Sequence, residues 1–294
     1  MSGVKNYLSL IKFSHTIFAM PFAMIGFFLG VVSVEKETHS NPWYMRYGLT
    51  FVLVILCMVF ARSAAMAFNR YLDRRFDARN PRTAIREIPA GILKANSVLL
   101  FTIANSVLFI VAAYFINPLC FYLSPVALLV VLGYSYTKRF TPLCHLVLGL
   151  GLSLAPIGAY LAVTAAFSLL PVLFSLAVIF WVSGFDIIYA LQDEEFDRSQ
   201  QLYSIPAWLG KARALRFSEM LHLLSAASVV LAGWYGHFGW LYWAGVAVFT
   251  GMLVYQHSIV KPGDLRRVNL AFMTANGIAS VVFAFFVISD LLSR

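Results

Sequence analysis

The stretch FNRYLDRRFD, residues 68–77, places one amide and two carboxylates four residues apart at the end of a long apolar run. A helix turns by about 100° per residue, so Asn69, Asp73 and Asp77 lie on nearly the same helical face. Their side-chain oxygens should therefore converge. Polar groups at membrane depth are costly and are kept mostly for function, which makes this face a candidate site.

The composition predicts a membrane protein. Apolar residues make up 61% of the chain and charged residues 12%, about half of the charged fraction that is usual in soluble domains. The net charge of +9 does not indicate a nucleic-acid partner, because the sequence contains no soluble domain to carry a binding patch. The three cysteines form no CxxC motif, so neither a disulfide framework nor a zinc site is indicated.

Apolar stretches of about 20 residues, the length that crosses a bilayer, occur nine times. The predicted fold class is all-α: a single domain, residues 1–294, forming a polytopic membrane bundle of nine transmembrane helices. Lys and Arg concentrate before the first helix and in the even-numbered connections, so the positive-inside rule places the N-terminus in the cytoplasm. The predicted helices are 14–34, 45–68, 97–116, 119–136, 144–165, 169–191, 214–234, 238–258 and 269–289.

The acidic pattern is repeated at the end of the sixth predicted helix. There, FDIIYALQDEEFDRSQ contains Tyr189, Asp193 and Asp197, each 120 residues after the matching position of the first motif. A single motif of this kind is more typical of a solvated helix end, but two copies at matched depth favour a functional site, as in parallel repeats. Four carboxylates should then face one cavity.

Four carboxylates around one cavity repel one another and need cations. Oxygen ligands suit Mg²⁺, which commonly takes one or two carboxylates together with phosphate oxygens, so two Mg²⁺ ions would balance the four charges. Basic residues on the same side suit a diphosphate, because Arg pairs bidentately with phosphate oxygens. The cations predicted to bind diphosphate are Arg62, Arg82, Arg86, Lys138 and Arg139.

Metal-binding carboxylates, cations and an apolar interior together fit a diphosphate that carries a hydrocarbon tail. Ionisation of an allylic diphosphate requires neutralisation of the leaving group, and the carbocation must be kept from water. The predicted activity is prenyl transfer. A proton-coupled transporter is the alternative from another class, because parallel repeats and intramembrane acids also occur in carriers. The position of the acids at helix ends rather than at the midplane opposes it.

These motifs resemble those of the UbiA family of intramembrane aromatic prenyltransferases, and the resemblance covers essentially the whole chain. It implies a nine-helix bundle in the inner membrane, with an active site that faces the cytoplasm. It also implies Mg²⁺ as cofactor and a polyprenyl diphosphate, an aromatic acceptor and membrane lipid as partners. The implied metal ligands are Asn69, Asp73, Asp77, Asp193 and Asp197. One departure is Arg70, because the family usually has an acid beside the Asn.

The first predicted helix departs from the 4-hydroxybenzoate members of the family. Lys12 and His15 share a helical face and resemble a bacterial branch thought to prenylate a carboxylated dihydroxynaphthalene on the futalosine route to menaquinone. The predicted acceptor is therefore either 4-hydroxybenzoate, a precursor of ubiquinone, or a dihydroxynaphthoate. Prenylation of haem, of chlorophyll or of ether lipids remains as an alternative within the family.

The remaining site predictions concern the acceptor and its proton. Lys12, His15 and Tyr134 are predicted to bind the acceptor. Asp73 is expected to be essential for catalysis, and Asp193 and Asp186 are candidate bases. No chemistry is assigned to His145, His222, His237 and His257, which show no partner pattern in the sequence.

Overall fold

The computed structural model describes residues 2–11, 18–35 and 42–293. Regular structure in these ranges is helical, apart from one isolated bridge between Lys261 and Asp264. The all-α fold class is therefore confirmed. The helices are α1 (Ser2–Leu10), α2 (Met20–Glu35), α3 (Trp43–Arg79), α4 (Ala95–Ile116), α5 (Pro118–Thr137), α6 (Cys144–Thr164), α7 (Leu169–Ala190), α8 (Glu194–Ser199), α9 (Ile205–Leu209), α10 (Lys211–Tyr235), α11 (Trp240–Ile259) and α12 (Asn276–Leu292).

Seven helical segments in the described ranges are long and apolar enough to cross a membrane. Each of the nine predicted spans overlaps a helix, but α2 is apolar over a shorter stretch, Met20–Val34. The count of nine crossings and the orientation of the N-terminus therefore stay predictions. Leu49, Leu100 and Leu129 are exposed on the outer surface, as expected of helices that face lipid, since lipid tails are as apolar as Leu.

Helix α3 continues beyond the predicted apolar span. That span ends at residue 68, whereas the helix continues to Arg79, so the first motif lies within its last three turns, as its helical spacing predicts. Residues 68–79 contain neither Gly nor Pro, and charged side chains do not end a helix. Pro81 ends it instead: the preceding residue, Asn80, is extended, with φ −88° and ψ 116°.

The second motif has a different local conformation. Helix α7 ends at Ala190, a 3₁₀ turn covers Leu191–Asp193, and α8 carries Asp197. Because a 3₁₀ turn winds more tightly than an α-helix, the second pair of carboxylates is not placed by α-helical spacing alone. The two copies share a sequence pattern but differ in backbone path.

Close helix packing fixes the bundle around the site. Helix α7 packs on α6 and α10, and α2 packs on α6. At the crossing of α2 and α6, a Cβ added at Gly26 would lie 1.9 Å from the carbonyl oxygen of Pro156. Ala155 and Ala159 are buried beside it. Small residues at such a crossing let the two backbones approach, which is how membrane helices gain packing energy.

The buried side chain of Asn276 links α7 to the helical segment 270–275 next to the site. Trp181 of α7 donates its ring N–H to Asn276 Oδ1, at 2.8 Å. Asn276 Nδ2 in turn donates to the carbonyl oxygen of Phe272, at 3.0 Å, within a π-helical segment that covers Leu270–Ala275. The extra carbonyl freed by a π segment is thus paired by a side chain. This fixes Phe272, whose ring lines the cavity described next.

Candidate active site

A cavity of about 630 Å³ is lined by α3, α5, α6, α7 and the loop after α3. One part of its wall is apolar and includes Phe18, Leu148, Leu152, Val182 and Phe185. The other part is polar. Of the predicted site residues, those that line the cavity are Arg62, Asn69, Asp73, Asp77, Arg82, Arg86, Tyr134, Lys138, Asp186, Asp193 and Asp197. The expected convergence of four carboxylates on one cavity is therefore observed.

The first motif reaches the cavity from one face of α3. Asn69 Nδ2 donates to Asp73 Oδ2 at 3.2 Å, one helical turn away. Asp73 Oδ1 accepts from Arg139 Nη2 at 2.8 Å, so Arg139 belongs to the site although it does not line the cavity. Asp77 Oδ1 accepts from Arg86 Nη1 at 2.6 Å. Helical spacing supplies the carboxylates, and the loop after α5 and the loop after α3 supply their cations.

The second motif is held by the same two loops. Asp193 forms a two-pronged ion pair with Arg82, in which both carboxylate oxygens accept from the guanidinium. Asn80 Nδ2 also donates to Asp193 Oδ1, at 3.1 Å. Asp197 Oδ1 lies 2.7 Å from Lys138 Nζ, and the Asp197 side chain is 0% exposed. Each motif carboxylate therefore pairs with a different cation.

All four of these cations lie in loops outside the membrane-spanning helices. Burial alone would lower the pKa of Arg82, but its hydrogen bond to Asp193 and the charge of that carboxylate raise the pKa above its usual value. The pKa of Lys138 is raised in the same way, because the charge of Asp197 outweighs the effect of burial. Both side chains therefore remain positively charged at neutral pH.

Asp186 has a partner that the sequence did not reveal. His145 Nδ1 lies 2.7 Å from Asp186 Oδ2, and the backbone N–H of Ile205 donates to His145 Nε2 at 3.3 Å. The sequence showed no partner pattern for His145, because its partner lies 41 positions away and is brought to it by the packing of α6 on α7. His222 and His257 are likewise paired, with ring nitrogens 2.9 Å apart.

Two arginines on α3 line the cavity without a carboxylate partner among the described residues. Arg70 is buried, Arg62 is partly buried, and the Nε atoms of both have no hydrogen-bond partner. Arg62 is one of the predicted diphosphate cations, whereas Arg70 was noted only as a departure from the family pattern. Glu87, which sequence reasoning missed, also lines the cavity and accepts from Ser9 Oγ at 2.6 Å.

Comparison with known proteins settles the family. The family model described as the UbiA prenyltransferase family matches residues 19–283. The chain belongs to this family. The resemblance noted in the motifs is confirmed, and this UbiA protein is therefore a prenyltransferase and a multi-pass membrane protein. The transporter alternative is set aside.

Relatives of this UbiA protein include proteins named 4-hydroxybenzoate octaprenyltransferase. The chain is 29% identical over 267 residues to a 4-hydroxybenzoate octaprenyltransferase of Aeromonas hydrophila, covering 90% of this chain and 93% of that protein. It is also 29% identical over 260 residues to the enzyme of the same name from Tolumonas auensis, covering 87% and 91%. The chain thus matches nearly the full length of both relatives.

Solved structures of other UbiA homologues share the fold. The apo structure of a homologue from Aeropyrum pernix K1 matches with a TM-score of 0.78 and 28% identity, over 95% of this chain and 97% of that chain. A homologue from Archaeoglobus fulgidus, bound to DMAPP and Mg²⁺, matches with a TM-score of 0.71 and 20% identity, over 98% and 100%. The second similarity supports the fold alone.

The residues of this site fit a hard divalent cation. In the described part of the chain, no three His, Cys, Asp or Glu side chains already form a metal-binding group. Asp77 Oδ2 and Asp197 Oδ2, however, are buried and accept no hydrogen bond. Buried carboxylate oxygens with free lone pairs are the ligands that Mg²⁺ prefers. The donor set therefore suits Mg²⁺.

Two predicted acceptor-binding residues cannot be placed. Lys12 and His15 lie outside the described residues, so the structure does not test their role. Tyr134, the third, lines the cavity on α5.

Proposed function

We propose that this UbiA protein transfers a polyprenyl group from a prenyl diphosphate to a carboxylated phenol, with Mg²⁺ as cofactor. The observation that carries the proposal is the pairing of four motif carboxylates with four separate cations around one partly apolar cavity. Carboxylates are ligands for Mg²⁺, and Arg and Lys are ligands for phosphate. A magnesium diphosphate can therefore satisfy both sets of side chains at once.

The division of roles follows from this chemistry. When bound, Mg²⁺ would neutralise charge that develops on the leaving diphosphate. The residues that would hold Mg²⁺ are Asn69, Asp73, Asp77, Asp193 and Asp197. The residues that would hold the diphosphate are Arg62, Arg82, Arg86, Lys138 and Arg139. Because four of these five cations already lie beside a motif acid, little rearrangement of the protein would be needed to form the site.

The apolar wall has a separate role in the proposed reaction. Breaking the allylic C–O bond leaves a cationic carbon that water would capture. The side chains of Phe18, Leu148, Val182 and Phe185 line the cavity, so they would exclude water and contact the hydrocarbon tail. An aromatic acceptor held against this wall would react with the cationic allylic carbon before water could reach it.

The acceptor is proposed to be 4-hydroxybenzoate or a dihydroxynaphthoate. The names of the relatives favour the first, and the sequence of the N-terminal segment favours the second. The experiment is an assay of the purified protein in lipid nanodiscs, with Mg²⁺, one prenyl diphosphate and a panel of acceptors. Prenylation of a carboxylated phenol is expected. Transfer only to haem, a chlorophyll precursor or a glycerol phosphate would reject the proposed acceptor class.

The same panel tests the residues proposed to bind the carboxylate. A carboxylate buried beside an apolar wall needs a cation or hydrogen-bond donors. We propose that Lys12 or His15 supplies them, with Tyr134 in contact with the ring. Lys12→Met or His15→Phe should then reduce activity on a carboxylated acceptor far more than on its decarboxylated analogue. Equal losses of activity on both acceptors, or no loss, would show that neither residue binds the carboxylate.

We further propose that the protein acts in the inner membrane, as one domain over residues 1–294, with its site open to the cytoplasm. The concentration of Lys and Arg in the segments on the motif side supports this orientation. The product would enter ubiquinone or menaquinone synthesis. Accessibility of a single cysteine, introduced in the loop after α3, to a membrane-impermeant thiol reagent tests the orientation in sealed vesicles of known sidedness.

A further inference from the structure

We propose that His145 and Asp186 form one unit, in which His145 positions Asp186 and Asp186 takes the phenol proton of the acceptor. This inference rests on the proposed function. Asp186 is one of two candidate bases in the sequence, and His145 had no assigned chemistry. The geometry around the two residues selects between the candidates and gives the histidine a role.

The hydrogen bonds of His145 define its tautomer. The backbone N–H of Ile205 points at Nε2 from 3.3 Å, and a donor there requires that Nε2 carry no proton. The ring proton therefore resides on Nδ1, which donates to Asp186 Oδ2 at 2.7 Å. A histidine held from both sides in this way fixes the orientation of the carboxylate that it contacts. Both side chains line the cavity, but that of His145 is 4% exposed and that of Asp186 is 25% exposed, so the acid is the more accessible of the two.

Asp186 is better placed than Asp193 to accept a proton. Both oxygens of Asp193 already accept from Arg82, and one also accepts from Asn80. Asp186 has a single hydrogen bond within the described part of the chain, through Oδ2. Its other oxygen is therefore available to a ligand in the cavity. Asp193 is also a proposed metal ligand, and a metal-bound carboxylate is a weaker base.

The position of Asp186 along α7 matches the order of the reacting groups. Asp186 lies on α7, which ends at Ala190, whereas Asp193 lies in the 3₁₀ turn beyond that end, so Asp186 lies deeper in the bundle than Asp193. The diphosphate is proposed to lie among the motif carboxylates. Phe185, beside Asp186, and Leu148 of α6 line the same cavity. An aromatic ring stacked against these side chains would present its hydroxyl to Asp186 and a ring carbon to the allylic carbon.

The proposed step balances without a further reactant. The phenol O–H proton moves to the free oxygen of Asp186, which increases the electron density on the ring. The ring carbon next to the phenol oxygen forms a bond to the allylic C1, while the C1–O bond breaks and its electron pair leaves with the diphosphate. The ring carbon then loses its proton to water, the ring becomes aromatic again as the phenolate, and Asp186 returns its proton to the phenolate oxygen. The net result is a prenylated phenol, diphosphate and one released proton.

Three variants test the unit, measured by turnover in nanodiscs. Asp186→Asn should lower kcat by about 10²- to 10⁴-fold, the usual contribution of a general base. His145→Phe should lower kcat by roughly 10- to 100-fold, because misplacing a reacting group by about 1 Å can cost ~100-fold. The double variant should be no slower than Asp186→Asn alone, since His145 acts only through Asp186. A double variant that is slower by the product of both factors would overturn the inference.

The matched control is His257→Gln, which disrupts the hydrogen bond between His257 and His222; neither residue lines the cavity. It should leave kcat unchanged. If His145→Phe does not fold, His145→Gln serves as a second variant, because the Gln amide can still donate a hydrogen bond to Asp186. Binding of the prenyl diphosphate, measured separately, should be normal in every variant. If Asp186→Asn binds the donor normally and retains kcat within threefold of the parent, the inference fails.

An acceptor that is already ionised distinguishes proton removal from a structural role. A ring-fluorinated acceptor that exists as the phenolate at the assay pH needs no base. With this ionised acceptor, the ratio of parent to Asp186→Asn turnover should fall towards one. The ratio of parent to His145→Phe turnover should fall in the same way. A ratio that stays the same would overturn the inference, because a structural defect affects both acceptors equally. If the parent prenylates no acceptor, the proposed function fails instead, so the two failures are distinguishable.

Discussion

Substitution of Lys138 by Met removes the cation that pairs with Asp197, the most buried of the four motif acids. Lys138 Nζ lies 2.7 Å from Asp197 Oδ1, and the Asp197 side chain is 0% exposed. Removing one partner of a buried pair typically costs about 3–5 kcal/mol, because the remaining charge is left without compensation. Lys138 itself is 33% exposed, so water already screens part of the pair. We therefore expect a loss at the lower end, about 3 kcal/mol.

Protonation of Asp197 sets an upper limit on that loss. A carboxyl group of ordinary pKa, about 3.9, can be neutralised at pH 7 for about 4 kcal/mol, at 1.36 kcal/mol per pH unit. At pH 5 the same limit falls to about 1.5 kcal/mol. The destabilisation of Lys138→Met relative to the parent should therefore shrink as the pH is lowered from 7 to 5. Adding Asp197→Asn should recover most of the loss at pH 7.

The assay is the free energy of unfolding in mixed micelles of a mild detergent and dodecyl sulfate. The control is Arg198→Met, because Arg198 is 61% exposed and pairs with Glu194 at 3.1 Å. Glu194 is 11% exposed but keeps a second cation, Lys211, at 3.8 Å, so loss of the exposed Arg198 should cost less than about 1 kcal/mol. If Lys138→Met costs no more than this control, or if Asp197→Asn adds to the loss instead of relieving it, Lys138 does not compensate the buried carboxylate and the pairing described above is wrong.

Further variants test the metal site, the diphosphate site and the helix packing. Asp73→Ala should reduce turnover by ~10²-fold or more, by analogy with loss of one oxyanion donor, while its melting temperature stays close to that of the parent; near-normal turnover would contradict the metal assignment. Arg86→Ala should weaken prenyl diphosphate binding in a direct titration, and loss of acceptor binding alone would refute its role. Gly26→Ala should cost about 3 kcal/mol or more in the unfolding assay, at or above the usual range for overpacking, because its Cβ would lie 1.9 Å from the Pro156 carbonyl oxygen. Gly158→Ala, which has open space, should change stability by less than about 0.5 kcal/mol.

The sequence alone determined the membrane class, the all-α fold and the two acidic motifs. These depend on properties that can be read directly from the sequence: the length of the apolar runs, the four-residue spacing of the acids, and the offset of 120 residues between the two motifs. It also indicated that basic residues on the motif side belong to the site. The apolar run marks only the membrane span of α3, because the helix continues through the motif until Pro81 ends it.

Only the tertiary structure decided which groups pair. Arg82 with Asp193 and Lys138 with Asp197 join loops and helices that are far apart in the chain, and no periodicity encodes those partners. The same applies to His145 and Asp186, which meet because α6 packs on α7. Helical spacing fixes the direction of a side chain relative to its own helix. The identity of the partner depends on how helices cross, which is set by packing such as that of Gly26 against Pro156.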